Sequence, residues 1–345
     1  KYTFSQTSLT AITVPATVTL IDEGAFNGCG SLATVTFSDN SVLETISGSA
    51  FGQTALKAIT VPSTVKSIGN NACYLCRSLS TLTFPSNSVL ETISSGAFKG
   101  TNLTTITVPS TVKSLSGFAD CFSLKTVTFP SNSLLEIIGS YAFDSSALTA
   151  IIVPSTVKKI NDRAFWGCSK LATVNFLSNS VLELIGTQAF ALSQITTISV
   201  PSTVLNINWM AFNACSSLAT VIVSCASTMT IDRTAFNNCG VTSLSLPSTV
   251  TYTGLVARNT IKCSFCDVGK YSATGDDSNG ACSNPGVGKC AALVASGGTS
   301  CSTVVGSKSA IDCPAGTYSN EAGAVSTGCL NPGVGKCAAL VASGA

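Results

Sequence analysis

The chain has 345 residues and a formal net charge of +2; 45% of its residues are hydrophobic and only 10% charged. That balance gives no electrostatic case for nucleic acid or an anionic membrane, and no apolar run approaches the ~18 residues of a spanning helix. Histidine is absent, which removes the commonest general base and the commonest metal ligand together.

Residues 1–8, KYTFSQTS, lead in to a repeat. The phrase LxxIxVPSTVxxI returns about every 47 residues from Leu9 to Val250, with a sister phrase, LxxVxFPSNSxLExI, between its copies. Repetition at such a period marks a solenoid, in which each unit stacks on the next and none is stable alone. Apolar triplets such as Leu9-Ile12-Val14, Leu32-Val35-Phe37 and Leu103-Ile106-Val108 end in an alternating pair, as a half-buried strand requires. Pro15, Pro62, Pro109, Pro154, Pro201 and Pro247 follow and stop the ladder, because proline lacks the N–H. A second apolar pair comes next (Val65 and Ile68, or Leu90 and Ile93), and an Ala-Phe step closes the unit at Phe26, Phe51, Phe98, Phe143, Phe165, Phe190, Phe212 and Phe236. About eleven units of 21–25 residues result, so a β-rich solenoid is expected over 9–254.

Stacking puts equivalent residues about one strand spacing, ~4.8 Å, apart. The second strand then gathers Glu44, Lys66, Glu91, Lys113, Glu136, Lys158 and Glu183 into one column of alternating charge. The first strand presents Thr34, Thr36, Thr81, Thr83, Thr105, Thr107, Thr126, Thr128, Thr197 and Ser199 away from the core. β-Branched hydroxyls suit any exposed strand; a platform for glycan, mineral or protein contact, or an ice-facing row, is the sharper reading. Trp166 and Trp209 flank the Ala-Phe step, and exposed aromatics there would form a contact rim with Tyr74 and Tyr141. Asn102-Leu103-Thr104 is the one standard glycosylation sequon.

Sixteen cysteines without histidine fit an oxidising, extracellular compartment. In the array, Cys29, Cys76, Cys121, Cys168 and Cys215 recur in every second unit, ~9.6 Å apart, beyond the ~7 Å that a disulfide tolerates. They are expected to be buried thiols, whereas Cys239, one unit after Cys215, lies within bridging reach of it. Cys73 and Cys76 form a CxxC with no second pair to complete a zinc site. After a linker at 255–262, Cys263, Cys266, Cys282, Cys290, Cys301, Cys313, Cys329 and Cys337 recur at repeated spacings among Gly, Ser and Ala, which leave little to bury. Crosslinks are expected to hold 263–345 together in a small tail with little regular secondary structure.

VPSTVKSIGNNAC and VPSTVKKINDRAFWGC resemble the BspA-like leucine-rich repeat, whose units read LxxIxLPxSVxxIGxxAFxxC. Departures fall where Cys73 replaces the Phe, where SLSGFADC is two residues short, and after Val250. The resemblance implies a right-handed, curved stack at a cell surface, used in adhesion and recognition, with protein or glycan as partner and no catalytic activity. CDVGKYS and CPAGTYS resemble the GCC2/GCC3 and TNF-receptor-like cysteine-rich repeats, which implies an elongated extracellular spacer. No nucleophile with a base, no carboxylate pair and no cofactor motif appears. The chain starts at Lys1 without a signal-like segment, as a mature protein or fragment would. Its second tail unit stops at Ala345, three residues before the counterpart of Cys301, so more units are expected beyond it. Two functions follow as expectations: an adhesion or recognition module on a disulfide-rich stalk, or a self-associating subunit of an extracellular filament, hair or wall layer.

Overall fold

The structure, a computed structural model, describes residues 1–223, 227–241 and 250–252, and the backbone of six short strands between 271 and 330. The chain divides into two compact units, one of residues 1–220, 230–242 and 252–255, the other of 221–229, 243–251 and 256–345. The first is a parallel β-solenoid, with no helix among its described residues.

Ten coils are marked by the two-residue strands Leu20–Ile21, Thr45–Ile46, Ser67–Ile68, Thr92–Ile93, Ser114–Leu115, Ile137–Ile138, Lys159–Ile160, Leu184–Ile185, Asn206–Ile207 and Thr230–Ile231. They are numbered 1 to 10 here. All are parallel and pair in chain order as one continuous sheet, Ile21 on Ile46, Ile46 on Ile68, and so on to Ile207 on Ile231. Those aliphatic residues point inward and are nearly all fully buried. β-Branched side chains favour this geometry, since their restricted χ1 packs well on a pleated surface.

A second set of strands forms the other long side of each coil, and here the pairing breaks. Ala11–Val14 pairs with Thr34–Phe37, Ala58–Thr60 with Thr81–Thr83, Thr105–Thr107 with Thr126–Thr128, and Ala150–Val153 with Thr173–Phe176. Each pair is a separate two-stranded sheet. The sequence accounts for the break: the turn from Phe37 to Leu43 is two residues longer than that from Val14 to Val18, and the same difference recurs in every second coil. Even coils are therefore wider at this turn, which holds the next strand off.

The third side is the corner carrying the Ala-Phe step. Phe26 N–H donates to the Ala50 carbonyl, Phe51 to Ala72, Phe143 to Ala164 and Phe190 to Ala211, all at 2.7–2.8 Å. Many corners turn on two residues of left-handed φ four apart, glycines at Gly24/Gly28 and Gly96/Gly100 but Gln188/Leu192 and Tyr141/Ser145 elsewhere. Inside, the phenylalanines stack ring on ring. Phe4, Phe26 and Phe51 form one column, and Phe98, Phe118, Phe143, Phe165, Phe190, Phe212 and Phe236 another, with centroids 5.1–5.9 Å apart. Cys73 interrupts the stack, as its place in the sequence requires. Phe118, in the shortened SLSGFADC unit, keeps its ring in the column. The lead-in joins as well: Phe4 stacks on Phe26, and Tyr2, Phe4 and Gln6 donate to the carbonyls of Glu23, Ala25 and Asn27.

In the second unit, three antiparallel strand pairs are described: Tyr271–Ser272 with Cys282–Ser283, Lys289–Ala291 with Ala310–Asp312, and Tyr318–Ser319 with Cys329–Leu330. The sulfurs of all eight tail cysteines, and Cys225, lie outside the described residues.

A stack of rings at the centre of each corner carries a measurable share of stability. Phe165→Ala, which removes a fully buried ring from between Phe143 and Phe190, is expected to cost about 3–5 kcal/mol in denaturant unfolding. A cost below about 1 kcal/mol would show that the stack does not bind the coils together.

Candidate functional site

The paired strands turn their hydroxyls outward. Thr34, Thr36, Thr81, Thr83, Thr105, Thr107, Thr126, Thr128, Thr197 and Ser199 are all exposed, while Val35, Leu82, Ile106, Val127 and Ile198 between them are buried. Within a pair the hydroxyl rows are in register, Thr105 beside Thr126 and Thr107 beside Thr128; Thr13 and Thr36 hydrogen-bond through their hydroxyls at 2.8 Å. Ala11, Ala58, Ala150 and Ile152 interrupt the rows, and Ile152 is 58% exposed. Where pairing breaks between Thr34–Phe37 and Ala58–Thr60, an open groove of about 860 Å³ runs beside Thr34, Thr36, Thr60, Pro62 and Pro85. The rows offer hydroxyl donors and acceptors and a few methyl groups, with exposed Lys57 and Lys125 each one residue before a strand.

The charged column lies on the continuous sheet. Backbone bonds step through it in order: Lys66 N–H to Glu44 carbonyl, Glu91 to Lys66, Lys113 to Glu91, Glu136 to Lys113, Lys158 to Glu136 and Glu183 to Lys158. The side chains form discrete pairs within it, Lys66–Glu44 at 3.0 Å, Lys113–Glu91 at 3.1 Å and Lys158–Glu136 at 3.0 Å. Each joins an odd coil to the even coil before it, 22 residues upstream. Glu183 has no ion-pair partner among the described residues. About half exposed, these pairs are each worth roughly 0.2–1 kcal/mol at most.

The corner aromatics do not meet as one patch. Trp166 is half-buried and Trp209 is 45% exposed, two coils further on, with the coil of Gln188 between them. Arg163 binds this region: its guanidinium lies 5.8 Å from the Tyr141 ring centroid and 5.9 Å from that of Trp166, and its Nε donates to Gln188 Oε1 at 2.8 Å. Tyr74 is half-buried. Asn102 is exposed and its Oδ1 accepts from the Ser123 hydroxyl at 2.7 Å, while Leu103 in the sequon is fully buried.

The array cysteines are thiols with a common environment. Cys29, Cys76, Cys121, Cys168 and Cys215 are each fully buried, and each Sγ donates to the carbonyl of a Phe in the preceding coil at 2.8–3.2 Å. A hydroxyl three residues after that Phe stands 3.1–3.3 Å from the sulfur: Thr7, Thr54, Thr101, Ser146 and Ser193. The hydroxyl partners are a part of the corner that sequence reasoning missed, although their constant spacing after Phe was there to be read. Cys215 and Cys239, the pair within bridging reach by sequence, both stand as free thiols, with Cys239 Sγ donating to the Phe212 carbonyl at 2.8 Å. Burial pushes the Cys121 thiol up to about 11 and the Cys168 thiol up to about 12. Cys73 is raised well above the ordinary thiol range, first by its hydrogen bond to Cys76 and then by burial.

Six copies of the BspA type leucine rich repeat region match residues 1–117 and 115–219. The chain belongs to the BspA-type leucine-rich-repeat family. No curated protein matches it. Among solved structures, it is similar to the pneumococcal vaccine antigen PcpA (24% identity, 70% of this chain and 73% of that one, TM-score 0.41). A leucine-rich repeat protein from Eubacterium ventriosum is also similar (24% identity, 70% and 74% covered, TM-score 0.46). So is a leucine rich cell surface protein from Faecalibacterium prausnitzii (24% identity, 74% and 82% covered, TM-score 0.36). The BspA-type assignment rests on the family match and on the coil geometry above.

The thiol corner gives a test with two readouts. An unfolded thiol ionises near 9, while native Cys121 and Cys168 hold their protons to about 11 and about 12. Their folded pKa is raised, so their stabilising contribution is complete below pH 9 and is lost as pH climbs through 9 toward 12. The melting midpoint should fall over that window. At pH 8 both thiols should resist iodoacetamide until denaturant is added; labelling of Cys121 or Cys168 in the native chain at the rate of free cysteine, read by peptide mass spectrometry, would contradict the buried corner.

Proposed function

We propose that this BspA-type array is an extracellular recognition or adhesion module, which contacts a protein or glycan through the hydroxyl face of its paired strands. The observation that carries the reading is that face: ten exposed Thr and Ser side chains on buried-backed strands, with an open groove at a break between strand pairs. Uncharged hydroxyls flanked by methyl groups suit sugar hydroxyls and peptide backbone, where hydrogen bonding and shape decide specificity. Of the proteins it is similar to, one is a vaccine antigen and one a cell surface protein, in keeping with a surface location. The cysteine-rich segment 263–345 would serve as the disulfide-rich stalk that holds the array away from its anchor. The cluster of Tyr141, Arg163 and Trp166, with Trp209 standing apart from it, offers supplementary contacts along the corner edge, since Trp, Tyr and Arg most often carry binding energy.

The hydroxyl rows advance in two-coil steps rather than as one sheet. That spacing favours a partner with several separate contact points over a flat ice or mineral lattice.

Glycan arrays and binding to cells with the fluorescently labelled chain test the reading. The quadruple variant Thr105→Glu, Thr107→Lys, Thr126→Lys, Thr128→Glu changes only exposed side chains and sets opposite charges beside each other in the two strands, so an unchanged melting curve is expected together with at least about tenfold weaker binding. Binding equal to that of the parent chain would remove the hydroxyl face from the function and turn attention to the aromatic rim.

A further inference from the structure

The continuous sheet carries a second outward row beside the charged column. Val42, Val89, Leu134 and Val181 occupy one position in coils 2, 4, 6 and 8, and are 46%, 45%, 51% and 42% exposed. Odd coils place threonine at that position: Thr64, Thr111, Thr156 and Thr203. Each of these threonines turns its hydroxyl back onto two carbonyls of the coil before, as Thr111 does with Ser88 at 3.2 Å and Leu90 at 2.7 Å. Knobs on even coils thus alternate with lower threonines on odd coils. Two residues further along, just before the strands, glutamates stand on coils 2, 4, 6 and 8 and lysines on coils 3, 5 and 7. The face is therefore ridged and charged with one and the same two-coil period.

We propose that this face recognises a second copy of the chain, the two solenoids packing face to face and antiparallel about a two-fold axis that runs parallel to the strands between coils 5 and 6. Such an axis keeps each row opposite itself and reverses the order of the coils. Coil 6 then faces coil 5 of the other copy, coil 4 faces coil 7, and coil 8 faces coil 3. Three of the four glutamates meet a lysine: Glu136 meets Lys113, Glu91 meets Lys158, and Glu183, which lacks a partner in its own chain among the described residues, meets Lys66; Glu44 falls opposite coil 9, where Leu205 stands. The same operation sets each knob over a threonine, Leu134 over Thr111, Val89 over Thr156 and Val181 over Thr64. Charge and shape demand the same register, even coil on odd. An axis along the solenoid would instead set even coil on even, and placed on the charged column it puts glutamate on glutamate, a register that like charges across an interface disfavour. Any other occupant would need opposite charges and ridges alternating at ~4.8 Å, and the chain itself carries that surface. The hydroxyl face lies on other strands, so this contact stands or falls independently of the ligand reading.

The test is zero-length carbodiimide crosslinking of the 345-residue chain, read by mass spectrometry of the dimer band, with light scattering across concentrations up to about 0.1 mM, where an interface of about 1 μM affinity is saturated. Within one chain Lys66 and Glu183 are five coils, roughly 24 Å, apart, too far for that reagent. A covalent dimer containing a Lys66–Glu183 linked peptide is expected. Leu134→Lys, at an exposed position, should weaken dimerisation at least about tenfold while leaving the melting curve in place. A monomer at every concentration, a dimer without the Lys66–Glu183 peptide, or a Leu134→Lys chain that dimerises like the parent would each overturn the proposal.

Discussion

Everything in the array depends on one distance. Parallel backbone bonds on the continuous sheet and at the corners fix each coil ~4.8 Å from the next, and every side chain must then coexist with its own equivalents at that spacing. Apolar groups do so at no cost, so phenylalanine stacks on phenylalanine with centroids at 5.1–5.9 Å, and isoleucine on isoleucine. Hydroxyls also tolerate it, because each can give to a neighbour and accept from another. Charges do not. Two like charges 5 Å apart repel by about 0.8 kcal/mol even in water, and a column of them would add that cost at every coil. A charged column therefore has to alternate, as Glu44 to Glu183 does, or charge has to be sparse, as on the hydroxyl face, where the exposed Lys57 and Lys125 stand three coils apart. The low charged fraction of the chain is a consequence of stacking before it is a feature of function.

The second constraint is that the unit of repetition is two coils. The longer turn from Phe37 to Leu43, and its equivalents, separates even from odd coils in shape, and the same division governs Val or Leu against Thr and Glu against Lys. It also divides the long strands into separate pairs. Ion pairs respect it too: all three in the column span a 22-residue step from even coil to odd, and none spans the longer step that contains the extended turn. A two-coil period gives the surface alternating grooves and ridges, which a uniform one-coil repeat would have averaged into a smooth sheet.

The columns were legible in the sequence because periodicity alone places residues in a solenoid. Inward aliphatics, outward threonines, the charge order and the loss of a ring at Cys73 all follow from aligning the units. What periodicity cannot give is the state of a column's side chains or of its ladder. Alternating charges read as a continuous ladder, and the structure holds them as three separate pairs. Long strands read alike in every unit, yet the two extra residues in even coils decide that they pair two by two. Phe118 lay in a unit that departs from the pattern, and packing against Phe98 and Phe143 retains its ring. The thiol column could be placed from spacing, but its hydrogen bonds to Phe carbonyls, shared with Thr or Ser, depend on how closely successive corners approach. Proximity in sequence space likewise set Cys239 near Cys215 without deciding whether the sulfurs join.

The two outer faces differ in the kind of recognition each can support. A face of hydroxyls and methyls exerts little long-range attraction, so on the proposed reading partners are not steered to it, and discrimination has to come from complementarity after contact. Many weak, repeated contacts suit that chemistry, since affinity then grows with the number of coils engaged and not with any single residue. The sheet face is the opposite case. Its alternating charges cancel at a distance and become selective only at close range, where a register shift of one coil sets glutamate on glutamate. A surface of that kind distinguishes its own period from every other, which is the property that self-recognition requires. If the hydroxyl face is where foreign partners bind, pairing through the sheet face leaves it free and doubles the number of coils presented to them.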